Sequence, residues 1–117
     1  MKNMKNKRIK DRRIDVIHRI YNNLISRIYM TFKKNNIKFD VSYEELMGCN
    51  IEELKNFISN KFQDGMTFKN YGEWEIDHIK PVSIFNFKNR NELFECFNYI
   101  NLQPLWKLDN RQKFNHY

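Results

Sequence analysis

Residues 74–81 read WEIDHIKP, an aspartate and a histidine side by side inside an apolar run that a proline closes. Trp74, Ile76 and Ile79 are aromatic or β-branched, so the stretch reads as a β-strand, and Pro81 ends or bends it. Neighbouring side chains on a strand point to opposite faces. Asp77 and His78 therefore do not simply pair with each other, and each needs a partner from elsewhere in the chain.

Upstream, DRRIDVIHRIYNNLISRIYMTFKK carries Ile14, Ile17, Tyr21, Leu24 and Ile28 at alternating steps of three and four. That stripe predicts one amphipathic helix over 9–34, ended by Asn35 and Asn36, with the first eight residues frayed. The stripe is read as core packing, with a dimer seam as the alternative. Arg12, Arg13, Arg19 and Arg27 fall off it. Next, SYEELMG pairs Ser42 with Glu45 in a capping-box pattern and stops at Gly48. NIEELKNFISNKF repeats the device with Asn50 and Glu53, and its apolar face is Ile51, Leu54, Phe57, Ile58 and Phe62. A loop bent at Gly65 and Gly72 leads into the strand. Beyond Pro81, NELFECFNY predicts a short helix capped by Asn91, INLQPLW an extended segment interrupted by Pro104, and KLDNRQKFNHY a final helix. Asp109 is expected to cap that helix, with an acidic ligand as its alternative role, and Trp74, Trp106, Phe97 and Tyr99 to pack in the core, with base stacking as the alternative for the two tryptophans.

Charge divides the chain. Residues 1–38 hold twelve Lys or Arg against two Asp, while residues 39–117 hold nine basic and twelve acidic side chains. A basic arm on a mildly acidic body suggests a polyanion as partner, although a solvated helix face gives the same count. Cys49 and Cys96 form no CxxC pair, which argues against a zinc knuckle and a disulfide scaffold and for two buried thiols in a reducing compartment. No apolar run approaches the roughly 18 residues that cross a membrane, and no secretory signal is visible. A cytoplasmic location, in a bacterium or a phage- or virus-infected host cell, is the expectation. Alanine is absent while Asn, Lys and Ile abound, which fits an A+T-rich gene of a phage, virus or bacterium.

Four polar residues in the second half stand out: Asp77 and His78 on the first strand, Asn101 opening the second, and Asn110 on the last helix. Two antiparallel strands crossed by a helix would bring them together, as a small metal-dependent phosphodiesterase requires. Asp77 and the amide oxygen of Asn110 suit Mg²⁺, which takes few protein ligands and keeps several waters. His78 titrates near neutrality and suits the general base, and Asn101 suits the group that fixes its orientation and tautomer. His18 and His116 are read as non-catalytic.

GEWEIDHIKPVSIF (72–85) and CFNYINLQPLWKLDNRQK (96–113) resemble the HNH endonuclease family. The resemblance is to its phage and large-virus branch, which lacks zinc-binding cysteines. It spans about residues 46–113 with the helical leader included. It implies an α+β fold in which N-terminal helices precede a ββα-metal motif. The basic helix would occupy 1–38 and the nuclease domain 39–117, with a leader over 39–70 and the core over 71–117. It further implies DNA phosphodiester hydrolysis with His78 as general base and Asn101 steadying the loop. One Mg²⁺ or Mn²⁺ ion would be held by Asp77 and Asn110, the last at a position where the family often has histidine. Arg12, Arg13, Arg19, Lys80, Arg111 and Lys113 are the expected DNA contacts, Lys80, Arg111 and Lys113 with solvated charge as the alternative. A monomer is expected, a dimer being the alternative. With no separate sequence-reading domain seen after the motif, the expectation is low sequence specificity, or specificity carried by the N-terminal helix. The competing readings are an HNH-fold nucleic-acid-binding module without turnover and a partner-dependent subunit.

Overall fold

The computed structural model describes the backbone of residues 2–113 and the side chains of residues 16–113. The described residues form an α+β fold with five α-helices and one two-stranded antiparallel sheet. Helix α1 (Lys2–Lys34) begins earlier than the periodicity predicts. It ends as expected: Asn36 takes φ 53°, and Asn35 bonds the carbonyl of Thr31 through both its backbone N–H and its side-chain amide. Its buried stripe is Ile17, Ile20, Leu24, Ile28 and Phe32, with Tyr21 half-buried. Ile14 lies outside the described side chains. The stripe faces the core of this chain, so it is not free as a dimer seam.

Two short helices follow, each set by its caps. In α2 (Tyr43–Met47) the Ser42 side chain accepts from Glu45 N–H, and Gly48 closes the helix at φ 75°. That left-handed turn also packs tightly: a Cβ on Gly48 would lie 2.9 Å from the Asn98 amide. In α3 (Ile51–Asn60) Asn50 and Glu53 form the reciprocal capping box. Both helices deliver fully buried apolar residues to the core, Leu46 and Met47 from α2, Leu54 and Ile58 from α3.

Strand β1 (Trp74–His78) pairs with β2 (Leu102–Trp106), with Trp74 opposite Trp106 and His78 opposite Leu102. Trp74 is completely buried between Phe62 and Tyr71, and its indole N–H donates to the Thr67 carbonyl and the Asn70 side chain. Burying this ring in place of solvent is worth about 3 kcal/mol or more. The register also explains the proline inside β2. Ile79 N–H donates to Asn101 O and Lys107 N–H to Glu73 O, so the odd-numbered residues of β1 exchange bonds with β2. Ile76 and Pro104 are then a non-hydrogen-bonded pair. The missing N–H of Pro104 points away from its partner and costs no ladder bond. The Ile76 carbonyl points to the open edge of the sheet, where Arg27 of α1 donates to it at 3.2 Å. Arg27 thus occupies one outward-facing carbonyl of a strand edge that would otherwise offer it to other chains.

The connection between the strands holds α4 (Arg90–Phe97). Its cap is Asn89, not Asn91: the Asn89 side chain accepts from the backbone of Asn91 and Glu92. The last described helix, α5 (Lys107–Lys113), starts directly at the end of β2. Asp109 sits inside its first turn, two residues past the start, and does not cap it. No described helix is long and apolar enough to cross a membrane.

Both thiols are buried, and burial raises that of Cys49 to about 11 and that of Cys96 to about 12. A thiol that stays protonated and shielded is a poor nucleophile. The native protein is therefore expected to leave both cysteines unmodified by a disulfide reagent at mildly alkaline pH, and to release two equivalents once unfolded in guanidinium. Rapid modification of either thiol in the native state would contradict this packing.

Candidate active site

Strand alternation divides β1 into two chemically different faces. Trp74, Ile76 and His78 are buried, while Glu75 and Asp77 are half-buried on the other side. Helix α5 lies over Glu75 and Asp77. Asn110 Nδ2 donates to Glu75 Oε1 at 2.6 Å, and Lys113 Nζ donates to Asp77 Oδ2 at 2.8 Å. Three helical residues rise about 4.5 Å and two strand residues about 6.7 Å. The longer lysine side chain spans that difference. Opposite Asp77 in register, Gln103 also donates to Oδ2, at 2.9 Å. Lys113 makes a second bond, to the His78 carbonyl at 2.7 Å.

Asp77, His78, Asn110 and Lys113 line one cleft of about 310 Å³ together with Arg27, and Pro81 and Val82 form its apolar rim. His78 is 8% exposed, and its ring meets Phe97 edge-on at 6.1 Å. The imidazole nitrogens have no hydrogen-bond partner among the described residues. Burial first, then the positive charges of Arg27 and Lys113, push its pKa down to about 4, against the opposing pull of Asp77. The ring is thus neutral at physiological pH and able to accept a proton.

Asn101, 7% exposed, does not reach the imidazole. Its side-chain oxygen accepts from Lys80 N–H at 2.9 Å, and its amide donates to the carbonyls of Lys80 and Cys96 at 3.2 and 3.0 Å. Its own carbonyl accepts from Ile79 N–H. Asn101 therefore ties the two residues after His78 to the end of α4. It is a positioning residue for the loop, and the expected contact that would set the histidine tautomer is not made.

Of the basic residues expected on DNA, Arg12 and Arg13 lie outside the described side chains. Arg19 sits over the Tyr71 ring at 5.7 Å, and Lys80 pairs with Glu95 at 2.9 Å and lies over Phe85. Arg111 is exposed on α5. Lys113 is drawn into the cleft by Asp77, each side chain being less than one-fifth exposed. Three further contributors have weaker sequence signals. Gln103 was discoverable from the register of the two strands. Glu75 lies two residues before Asp77 and so on its face. Arg27 had no signal beyond falling off the apolar stripe.

Among the described residues no group of three His, Cys, Asp or Glu stands close enough to hold a metal ion. Asp77 and Asn110 add oxygen donors to the cleft beside the His78 imidazole. Asp77 Oδ2 is taken by Gln103 and Lys113, whereas Asp77 Oδ1 and Asn110 Oδ1 have no partner among the described residues. One carboxylate and one amide oxygen fit a hard cation completed by water and phosphate rather than one caged by protein.

The chain is similar to two uncharacterized proteins of Acanthamoeba polyphaga mimivirus. It is 31% identical to one over 97 residues, covering 82% of this chain and 42% of that protein. It is 33% identical to the other over 85 residues, covering 72% of this chain and 36% of that protein. The chain thus spans less than half the length of these relatives. No family model matches it, and no solved structure matches it.

Two outcomes follow for the metal-free protein. Truncating Asn101 to Ala leaves buried backbone groups of the 79–80 loop unpaired, and is expected to lower the unfolding free energy by about 2 kcal/mol in urea titrations. A loss below a few tenths would show that the loop does not depend on this amide. For His78, the folded pKa lies below the unfolded value of 6.5. The stability from keeping the ring neutral is fully present above pH 6.5 and is lost as pH falls towards 4. Imidazole NMR shifts should accordingly stay at their neutral values at pH 5.5, and a titration midpoint near 6.5 would contradict the burial of this ring.

Proposed function

We propose that the chain is a metal-dependent endonuclease of the HNH type, acting on DNA phosphodiester bonds through a ββα-metal unit formed by β1, β2 and α5. The observation that carries the reading is the cleft itself. It sets a neutral imidazole in one cleft with two cationic side chains and with two oxygen donors, the imidazole and both oxygens having no hydrogen-bond partner among the described residues.

In this reading Arg27 and Lys113 hold the non-bridging oxygens of the scissile phosphate by charge and hydrogen bonds. Asp77 and Asn110 would hold a single Mg²⁺ or Mn²⁺ ion. When bound, that ion supplies Lewis-acid stabilisation of the phosphate and of the leaving oxygen. His78 takes a proton from a water in the cleft. The hydroxide oxygen forms the new bond to phosphorus, and the bond to the sugar oxygen breaks. The incoming phosphate charge offsets Arg27 and Lys113, two of the three effects that depress the His78 pKa, and so raises its basicity on substrate binding. Asn101 keeps the loop after His78 in place, and the adjoining basic side chains of α1 supply salt-sensitive backbone affinity. The viral relatives agree with this branch of the family in origin alone.

One observation favours a second reading, a nucleic-acid-binding module of the same fold without turnover. The Lys113 ammonium already neutralises the Asp77 carboxylate at 2.8 Å. An Asp77 so compensated could serve structure alone.

A supercoiled-plasmid assay in Mg²⁺ and in Mn²⁺ separates the two. The nuclease reading expects nicking that chelation abolishes and that His78→Ala lowers by about 10²- to 10⁴-fold. Gel-shift binding without cleavage in either metal would decide for the silent module. Cleavage unchanged in His78→Ala would remove His78 as the base.

A further inference from the structure

Val82 forms a wall of two hollows. On one side is the His78 cleft, and on the other a groove of about 680 Å³ under the last turns of α1, where Met30, Lys33 and Lys34 face Phe85 and Phe87. Asn35, Phe85 and Phe87 in turn line a third hollow of about 420 Å³ that reaches Lys88. Val82 is common to the first two and Asn35, Phe85 and Phe87 to the last two, so the hollows lie in series as a track leading away from the cleft.

The chemistry of the track is uneven. Among the described residues lining the two outer hollows there are three lysines, Lys33, Lys34 and Lys88, and no carboxylate. The side chains of Lys33 and Lys34 are exposed and have no ion-pair or hydrogen-bond partner among the described residues. The rings beneath are held firmly. Phe87 stacks one face on Phe97, 6.0 Å away and within 10° of parallel, and Phe85 lies under the Lys80 ammonium at 5.6 Å. Each ring remains half-buried and so presents surface to the groove. Ammonium groups along an aromatic floor suit a strand whose phosphates meet the charges and whose bases lie on the rings. A duplex cannot use such a floor, because its base faces are already stacked on one another. An acidic peptide would use the lysines, but nothing about it calls for paired flat rings.

We propose that this track holds an unpaired strand, so that the substrate class is DNA with a single-stranded segment adjoining the cut: an overhang, a gap or a displaced strand. The direction of the strand towards His78 rests on the nuclease reading above, whereas binding in the track does not.

Fluorescence anisotropy in EDTA tests the binding without cleavage. The probes are a labelled blunt duplex and the same duplex with a thymidine overhang of about ten nucleotides, within the span such grooves cover. The wild-type chain is expected to bind the overhang probe about tenfold or more tighter than the blunt one. Lys33→Ala/Lys34→Ala, which changes only exposed side chains, is expected to erase most of that preference and to reduce the salt slope by about 1.4 for two single-strand phosphates. Phe85→Leu keeps the apolar volume and removes the ring, and should weaken overhang binding about fivefold or more with the blunt duplex unaffected. Equal affinity of the wild type for both probes overturns the proposal, as does a preference that survives the double lysine variant. A plasmid assay on the same sample keeps the two readings apart. Absence of cleavage with the preference intact counts against the nuclease alone, and cleavage without the preference counts against the track alone.

Discussion

The alternation of side chains along Trp74–His78 governs the rest of the molecule. Five residues must serve two surroundings at once, an aromatic core on one face and a polar helix contact on the other. Trp74 and Ile76 fix which face turns inward, because exposing the indole would cost several kcal/mol. A slip of one residue would bury Glu75 and Asp77 and expose Trp74, Ile76 and His78. The same constraint that anchors the core therefore decides where the carboxylate and the imidazole end up. The position of the site is a consequence of packing.

Each neighbouring element then completes what the strand leaves unfinished. Arg27 of helix α1 takes the outward-facing carbonyl of Ile76, and that contact also brings a guanidinium to the cleft. Pro104 is tolerated because its missing donor faces outward. Helix α5 brings Asn110 and Lys113 over Glu75 and Asp77. The Lys113–Asp77 pair is shielded enough that removing one partner would leave an uncompensated charge near the core. It makes Lys113 a built-in countercharge for the carboxylate, and the bond to the His78 carbonyl extends its hold to the end of the strand. Asn101 performs the matching task on the loop side. Two side chains remote in sequence thus brace the residues around His78 from opposite directions.

Much of this was legible in the sequence, for identifiable reasons. The caps at Ser42, Asn50 and Gly48 are local hydrogen-bond devices and need no tertiary information. The strand at 74–78, its partner around Pro104 and the closing helix follow from local composition, as does the helix stripe through Leu24 and Ile28. What escaped depends on long-range geometry. Ile20 and Phe32 complete the α1 stripe because the helix is covered more widely than a narrow seam. Asn89 displaced Asn91 as the α4 cap because two asparagines lie in one short stretch and only the fold chooses between them. Asp77 and Asn110 were expected on a common ion, and both do line one cleft. Yet the hydrogen bond of Asn110 to Glu75 and the capture of Lys113 by Asp77 could be read only after α5 was placed over β1. Arg27 is the clearest case, since its role arises from a carbonyl exposed by the register of another element.

The proposed nuclease requires Asp77 and Asn110 to hold a single hard cation beside His78. Titrating Mn²⁺ into the isotope-labelled protein and following paramagnetic line broadening addresses it most directly. The account predicts broadening that is strongest at the His78 imidazole, the Asp77 carboxyl and the Asn110 side-chain amide, and that fades outward along α5. Broadening centred instead on the exposed acidic turn at Glu52 and Glu53, with the His78 and Asn110 resonances unaffected, would contradict it.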